Sequence, residues 1–306
     1  YQFYSKTGNE TLVEGMMEKK QTSIRYRNSK NKLVFILVCS LSFLSMLPLF
    51  LILWEVISRG YKNFNLQLFT EVTPSSMDAM LSRINGESIP GGILNGITGT
   101  LLIVGVAILL TIPLGLLIGI YLSENPQKKF ARLASYLTDL LQGMPSIVIG
   151  IIAYAWVVKP LGGYSALAGS VALTIMMLPM VVRSTEETLK ILPRSYKEAG
   201  LALGSSYRNV VFKILLPSGF GGIFTGILLA VSRVMGETAP LMLTALGATV
   251  VNWNLMEPTS AIPLLIWDFY NDPNLVDLIW STSLLLLIVI FLLNWLAKIV
   301  ARKWKI

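Results

Sequence analysis

Histidine is absent from this sequence, and cysteine occurs once, as Cys39, among 306 residues. Histidine is the commonest metal ligand and the usual general base near neutral pH, so its absence makes most hydrolytic mechanisms difficult. A lone thiol excludes an intrachain disulfide. The sequence also lacks the G-x-x-x-x-G-K-[ST] phosphate loop, which excludes ATP binding through that motif. We therefore expect no catalytic residue, no metal ligand and no cofactor on this chain.

Charge is scarce as well, because charged residues make up 14% of the chain and hydrophobic residues 54%. A soluble globular domain carries about 25% charged residues. Apolar segments of about 20 residues, the length needed to cross a bilayer core as a helix, occur six times. They lie at 33–57, 93–122, 135–158, 165–183, 214–236 and 276–300. The sequence thus predicts an all-α, multi-pass integral membrane protein with six transmembrane helices.

Lysine and arginine are distributed unevenly between the two sides of the membrane that six spans define. Of the 25 basic residues, 20 fall on the side of both chain termini and four on the other side. Positive charge accumulates in cytoplasmic segments, so both termini are predicted to be cytoplasmic. Residues 1–32 are then a cytoplasmic tail and 33–306 the membrane domain, with outer segments 58–92 and 237–275 and an inner loop at 184–213. The net charge of +8 faces anionic lipid rather than nucleic acid.

The remaining basic residue, Arg233, lies inside the fifth apolar segment, in "SRVMGETAP". A charge at the centre of a membrane helix costs about 2.5–3.5 kcal/mol on insertion scales, which points to a functional residue. On a continuous helix Glu237 would share the face of Arg233 and neutralise it. A guanidinium binds two oxygens of an oxyanion at once, so the pair fits an anion path; an ion pair that only fixes helix packing is the alternative. Arg183, at the inner end of the fourth segment, is either a second anion site or an interfacial anchor.

The inner loop contains the pattern of two short helices, "LPRSYKEAGLALGSSYRNVVFKILLP". Gly204 is placed to end the first helix, and Ser205 or Ser206 to begin the second. Small residues, among them Ala199 and Gly200, would give this region little side-chain bulk. The pattern predicts a compact knob at residues 190–210 that inserts into a groove of another protein, with an ordinary loop as the alternative.

The spacing in this loop resembles the EAA loop of ABC-importer permeases. Glu198-Ala199-Gly200 is followed after three residues by Gly204 and after nine more by "ILLP". The one departure is Gly200, where the family usually has alanine. In that family the loop is the coupling helix that docks on a cytoplasmic ATPase subunit. The resemblance therefore implies that Glu198, Ala199, Gly200 and Gly204 serve in coupling to the ATPase.

Further motifs narrow the resemblance: "LFTEVTP", "GGILNGITGTLLIVG", "GMPSIVIGI" and "SRVMGETAPLMLTA". Together they are similar to the A-type membrane subunits of the bacterial high-affinity phosphate (Pst) importers, from about residue 58 to the C-terminus. This resemblance implies a type I ABC-importer permease bundle in the bacterial inner membrane. It also implies that Arg233, Glu237 and Arg183 line the substrate path and that the substrate is phosphate.

The same resemblance implies a set of partners. They are a homologous C-type permease subunit, two ATPase subunits that bind ATP and magnesium, and an extracytoplasmic phosphate-binding protein. Other readings stay open: a permease for another oxyanion such as sulfate or molybdate, a secondary anion transporter, or a membrane platform that signals phosphate status to a kinase. A secondary transporter has no need of an EAA-type loop.

Overall fold

The computed structural model describes the backbone of residues 6–86 and 89–303, and most of it is helical. In chain order the α-helices are α1 (Lys6–Gly60), α2 (Gln67–Thr70), α3 (Ser76–Asn85), α4 (Leu94–Glu124), α5 (Lys129–Gly143), α6 (Ser146–Ala153), α7 (Lys159–Leu161), α8 (Ala166–Ile191), α9 (Arg194–Ala202), α10 (Tyr207–Val210), α11 (Leu216–Ser218), α12 (Phe220–Val234), α13 (Ala239–Met242), α14 (Ile262–Asn271) and α15 (Val276–Lys303). A 3₁₀-helix covers Tyr61–Asn63, and π-helical turns cover Tyr154–Val158 and Val211–Leu215. An isolated bridge between Leu246 and Thr259 is the only β pairing within the described residues. The predicted all-α fold is confirmed.

Four of the helices are long and apolar enough to cross a membrane as single spans: Lys30–Asn63, Leu94–Glu124, Ala166–Ile191 and Val276–Lys303. They coincide with the first, second, fourth and sixth predicted segments. The other two predicted segments are bent pairs of helices. The count of six holds when each bent pair is taken as one span.

The third and fifth segments are both bent. In the third, Lys129–Gly143 and Ser146–Leu161 meet at 109°. Met144, which precedes Pro145, has the extended backbone that a following proline favours, and the helix is interrupted there. In the fifth, Tyr207–Ser218 and Phe220–Val234 meet at 69° at Gly219.

Two compact units divide the chain, Tyr1–Glu55 and Val56–Ile306. In the first unit the described apolar side chains of α1 are exposed except that of Leu53, for example Leu33 at 65% and Trp54 at 70%. A helix with such a surface requires lipid or another protein around it. The boundary between a tail at 1–32 and a membrane domain stays a prediction.

The core of the second unit lies between α4, α8, α12 and α13. Its buried apolar side chains include Ile103, Leu173, Met177, Val181, Val234 and Leu241. A second cluster around the buried Phe269 joins α14 and α15 to α2 and the start of α4.

Helix α8 approaches its neighbours closely at glycines on two sides. A Cβ added to Gly119 of α4 would lie 2.6 Å from the Cβ of Thr185, and one added to Gly226 of α12 would lie 1.7 Å from the Oγ of Ser184. Both distances are shorter than a van der Waals contact, so at these positions only glycine permits the observed approach. Helix α8 is thereby held on both sides.

The buried side chain of Asn95, in the first turn of α4, connects the two predicted outer segments. Its Oδ1 accepts hydrogen bonds from the backbone N (3.2 Å) and the Oγ1 (2.9 Å) of Thr73. Its Nδ2 donates to the carbonyl oxygen of Ala248 at 2.7 Å. One amide therefore fastens both segments to the same end of α4, opposite to the knob.

Candidate functional site

Arg183, one of the predicted site residues, lies on helix α8. A side-chain cap stabilises the first turn of this helix. The Oγ of Ser165 accepts a hydrogen bond from the backbone N of Ala168 at 3.2 Å, which caps the first turn. Arg183 lies near the other end, where the third segment bends towards α8. The bend brings α5 alongside α8 and supplies partners that the sequence does not reveal.

Arg183 donates hydrogen bonds on several sides. Its Nε donates to Asp139 Oδ1 at 3.0 Å, its Nη1 to Glu186 Oε2 at 2.6 Å, and its Nη2 to Ser135 Oγ at 2.8 Å. Glu186 also accepts from Lys190 Nζ at 2.6 Å. Two cations thus face two carboxylates, and the cluster has no net charge.

The two carboxylates of this cluster differ in their access to solvent. The side chain of Glu186 is 5% exposed, whereas that of Asp139 is 56% exposed. A buried carboxylate that loses its cation is costly, so Glu186 holds Arg183 in place. Asp139 is the partner that an incoming anion could replace, because water can solvate it once it is released.

Arg233 occupies the last turn of α12, and its side chain is exposed. Its Nη1 lies 3.8 Å from the sulfur of Met180, one turn before Arg183 on α8. Among the ion pairs of the described residues, none includes Arg233. It therefore presents a positive charge that no carboxylate of the described residues contacts as an ion-pair partner.

The expected pairing of Arg233 with Glu237 is wrong. Helix α12 ends at Val234, and the backbone N of Glu237 donates to the carbonyl oxygen of Val234 in a turn, at 3.2 Å. The i, i+4 relationship requires a continuous helix, which is not present here. Glu237 is half-buried beyond the helix end.

Met180 also borders a cleft of about 630 Å³ between α5, α8 and α12. Its polar lining comes from Asp139, Gln142, Arg183, Ser184, Glu187 and Thr188. The structure thus places Arg183 on the cleft and Arg233 next to it, with the thioether of Met180 between them. An oxyanion bound at Arg233 would have a second guanidinium within the adjoining space.

The predicted knob is confirmed as two short helices, α9 and α10, joined at Gly204. Gly204 has φ +78°, and the backbone N atoms of Gly204 and Ser205 donate to the carbonyl oxygens of Leu201 (2.9 Å) and Gly200 (3.2 Å). This is the pattern of a helix ended by a left-handed glycine. The Oγ of Ser206 then accepts from the backbone N of Asn209 at 3.4 Å and begins α10.

The residues predicted for coupling differ in their exposure at the surface of the knob. Glu198 and Ala199 are exposed, and Leu203, which the prediction did not include, is 87% exposed. Gly200 is buried instead. A Cβ added to it would lie 2.8 Å from Ile214 Cδ1, so Gly200 serves the packing of the knob rather than its outer surface.

This chain is similar in sequence and in fold to known membrane transport proteins. Residues 111–306 match the family model described as "Binding-protein-dependent transport system inner membrane component". A chain of the MetNI methionine ABC transporter, in an inward-facing conformation, has a TM-score of 0.59 at 21% identity, with 69% of this chain and 95% of that chain covered. The fold is therefore that of an ABC-transporter permease.

Two relatives are similar over most of their length. The phosphate transport system permease protein PstA of Yersinia pestis is 34% identical over 293 residues, 95% of this chain and 96% of that protein. The probable phosphate transport system permease protein PstA of Methanocaldococcus jannaschii is 36% identical over 266 residues, 86% of this chain and 90% of that protein. With 95% of the chain aligned, the similarity extends into the region before residue 58, where the sequence motifs gave no match.

Proposed function

The chain belongs to the PstA family of phosphate transport system permeases, and we propose that it is the membrane-spanning permease half of an ATP-driven phosphate importer. The observation that carries this proposal is the exposed Arg233, which has no ion-pair partner among the described residues, beside a cleft lined by Arg183. The chemistry of that arrangement suits an oxyanion. A guanidinium remains charged at any cellular pH and holds two oxygens of a tetrahedral anion at once.

In the proposed path, phosphate first binds Arg233 and then passes Met180 to the cleft. Arg183 is the second site, and it becomes available when Asp139 moves aside into solvent. Glu237 stays a candidate path residue, because its negative charge beyond the end of α12 limits how tightly an anion is retained near Arg233. A path requires such weak retention for release.

Coupling is proposed to occur at the knob. Glu198, Ala199 and Leu203 form the exposed surface that docks on a cytoplasmic ATPase subunit, and Gly204 sets the angle between the two short helices. The apolar side chain of Leu203 is 87% exposed, so its burial in a groove would contribute to docking. Closure of the ATPase subunits would displace the knob and the helices attached to it.

The remaining components are proposed from the family. This chain pairs with a homologous C-type permease, two ATPase subunits and an extracytoplasmic phosphate-binding protein in the inner membrane, with both termini cytoplasmic. ATP and magnesium are bound by the ATPase subunits, which perform hydrolysis, and this chain carries no cofactor.

The experiment that tests the function is uptake of labelled phosphate by the reconstituted complex in proteoliposomes. Uptake that requires ATP and is not reduced by excess sulfate or molybdate supports a phosphate importer. Strong competition by sulfate or molybdate identifies a permease for another oxyanion. Uptake that proceeds without the ATPase subunits would identify a secondary transporter and contradict the proposal.

A further inference from the structure

Helix α4 ends at Glu124, in a position that disfavours a carboxylate. The C-terminus of a helix carries the negative end of the helix dipole, so an acidic side chain there is destabilising. The Glu124 side chain is also only 15% exposed, which adds the cost of removing a charge from water. The stability of α4 does not explain this residue, so its contacts outside the helix must.

Those contacts come from the knob. Lys197 of α9 forms an ion pair with Glu124, and Lys197 Nζ lies 5.1 Å from the centre of the Tyr207 ring. Tyr207 is the first residue of α10. Glu124 thus joins the end of α4 to α9, and Lys197 extends the connection to α10.

The knob is linked by the chain itself to α8 and α12, but to α4 only through space. Ile120, one turn before Glu124, packs against the apolar cluster of Val210, Val211 and Leu215. Apolar contacts of this kind allow sliding, because they have no direction. The ion pair is directional and fixes the end of α4 relative to α9, and the cation–π contact of Lys197 with Tyr207 joins α9 to α10.

Helix α4 is well placed to pass on a displacement. It is continuous over Leu94–Glu124 and packs closely along α8 at Gly115 and Gly119, where an added Cβ would lie 2.6 Å from side-chain atoms of Val181 and Thr185. Close-packed helices transmit movement rather than absorb it. Arg183 lies on α8 between those two contacts.

We propose that Glu124 is a positioning residue for coupling, which ties the knob to α4 so that an ATPase-driven displacement of the knob moves α4 together with α8 and α12. This inference rests on the proposed function, because it requires that the knob docks on an ATPase. Without Glu124 the knob would still dock, but its displacement would reach α4 only indirectly, through the packing of α8 against Gly115 and Gly119, and the end of α4 at the knob would follow less closely. Hydrolysis would then continue with less phosphate moved per ATP.

The test measures phosphate transported per ATP hydrolysed by the complete reconstituted complex. Glu124→Gln keeps the size of the side chain and removes its charge. We expect the ratio to fall about tenfold, the factor that corresponds to the loss of one hydrogen bond to a charged group. The exchange Glu124→Lys with Lys197→Glu recreates the ion pair in reverse, and it should restore most of the ratio. Asp277→Asn is the matched control, because it breaks the ion pair with Arg83 far from the knob and should leave the ratio unchanged.

The outcomes separate a positioning role from a structural one. An unchanged ratio in an assembled Glu124→Gln complex overturns this inference and leaves the proposed function intact. Loss of assembly in Glu124→Gln and in Lys197→Gln alike, or an assembled charge exchange that restores nothing, also overturns it. The proposed function itself fails if the unaltered complex takes up no phosphate or takes it up without the ATPase subunits, and the same assay records both results.

Discussion

Asp139 Oδ1 lies 3.0 Å from Arg183 Nε, so the guanidinium predicted as an inner anion site already holds a carboxylate. The carboxylate comes from α5 and the guanidinium from α8. An anion in the cleft between these helices must therefore compete with Asp139 for Arg183. Competition of this kind favours release, because the resident carboxylate returns when the anion leaves.

The first prediction concerns this competition. Asp139→Asn removes the competing charge and retains an oxygen that can accept from Arg183. Phosphate should then be held more tightly, with an increase in affinity of about tenfold, the scale of one charge-assisted hydrogen bond, and with slower uptake because release becomes limiting. Equilibrium binding and initial uptake rates of the complex measure the two effects.

The control for this substitution is Glu187→Gln. Glu187 lines the same cleft but takes part in no ion pair of the described residues. Its replacement should change affinity much less than that of Asp139. Equal effects of the two substitutions would show that only the overall charge of the cleft matters.

The second prediction concerns Arg233. Arg233→Gln should abolish uptake while the complex still assembles, because a neutral amide does not offset the desolvation of an oxyanion. Arg233→Lys should recover part of the uptake, since an ammonium has the charge but not the planar fork. Labelled-phosphate uptake and co-purification of the subunits provide the two readouts.

Glu237 allows a sharper form of the same test. Because Arg233 and Glu237 are not paired, the double substitution to glutamine should be as inactive as Arg233→Gln alone. A structural ion pair would instead tolerate the loss of both charges. Substantial uptake by the double variant would therefore contradict a path role for Arg233.

The third prediction concerns the backbone at Gly204. With φ +78° and no atom within 4 Å of an added Cβ, the position resists side chains through strain rather than through collision. Gly204→Ala should cost about 1–2 kcal/mol locally, the penalty for a left-handed L-residue, and Gly204→Val more. We expect the valine variant to retain its place in the membrane and to lose ATP-driven uptake. Gly163→Ala, another open position but without a positive φ, should transport normally.

The fourth prediction concerns the crossing of α8 and α12. An alanine at Gly226 would place its Cβ 1.7 Å from Ser184 Oγ, so the helices must separate. Overpacking of this kind costs about 1–3 kcal/mol, and the thermal stability of the purified complex should fall accordingly. Ser184→Gly in the same chain should restore much of it. Gly105→Ala on α4, where an added Cβ meets nothing within 4 Å, serves as the control and should not destabilise.

Local patterns predicted the knob correctly because its determinants are close together in sequence. The left-handed Gly204 and the capping Ser206 act within a few residues of themselves. The number of apolar segments was also predictable, since it depends only on length and composition. The bend at Met144–Pro145 has a local cause as well, but its 109° angle depends on packing against α8.

The features that the sequence did not predict depend on distant contacts or on where a helix stops. Arg183 and Asp139 are 44 residues apart, and nothing in the spacing of their segments indicates that they meet. The predicted pairing of Arg233 and Glu237 failed because the fifth helix ends at Val234. Gly236 and Pro240 follow that end and are local stop signals that the prediction of a continuous helix did not take into account. The contact of Arg183 with Glu186 could have been predicted from the sequence, because residues three apart on a helix are neighbours.

Helix α4 has Asn95 in its first turn and Glu124 as its last residue, about 44 Å apart at 1.5 Å per residue. One end holds both outer segments, and the other holds the knob. A binding protein that presses on the outer segments and an ATPase that grips the knob would then act on the same rigid body. Thermodynamic linkage makes such an effect reciprocal. If docking of the binding protein favours ATP binding inside, then ATP must strengthen the hold on the binding protein outside by the same factor.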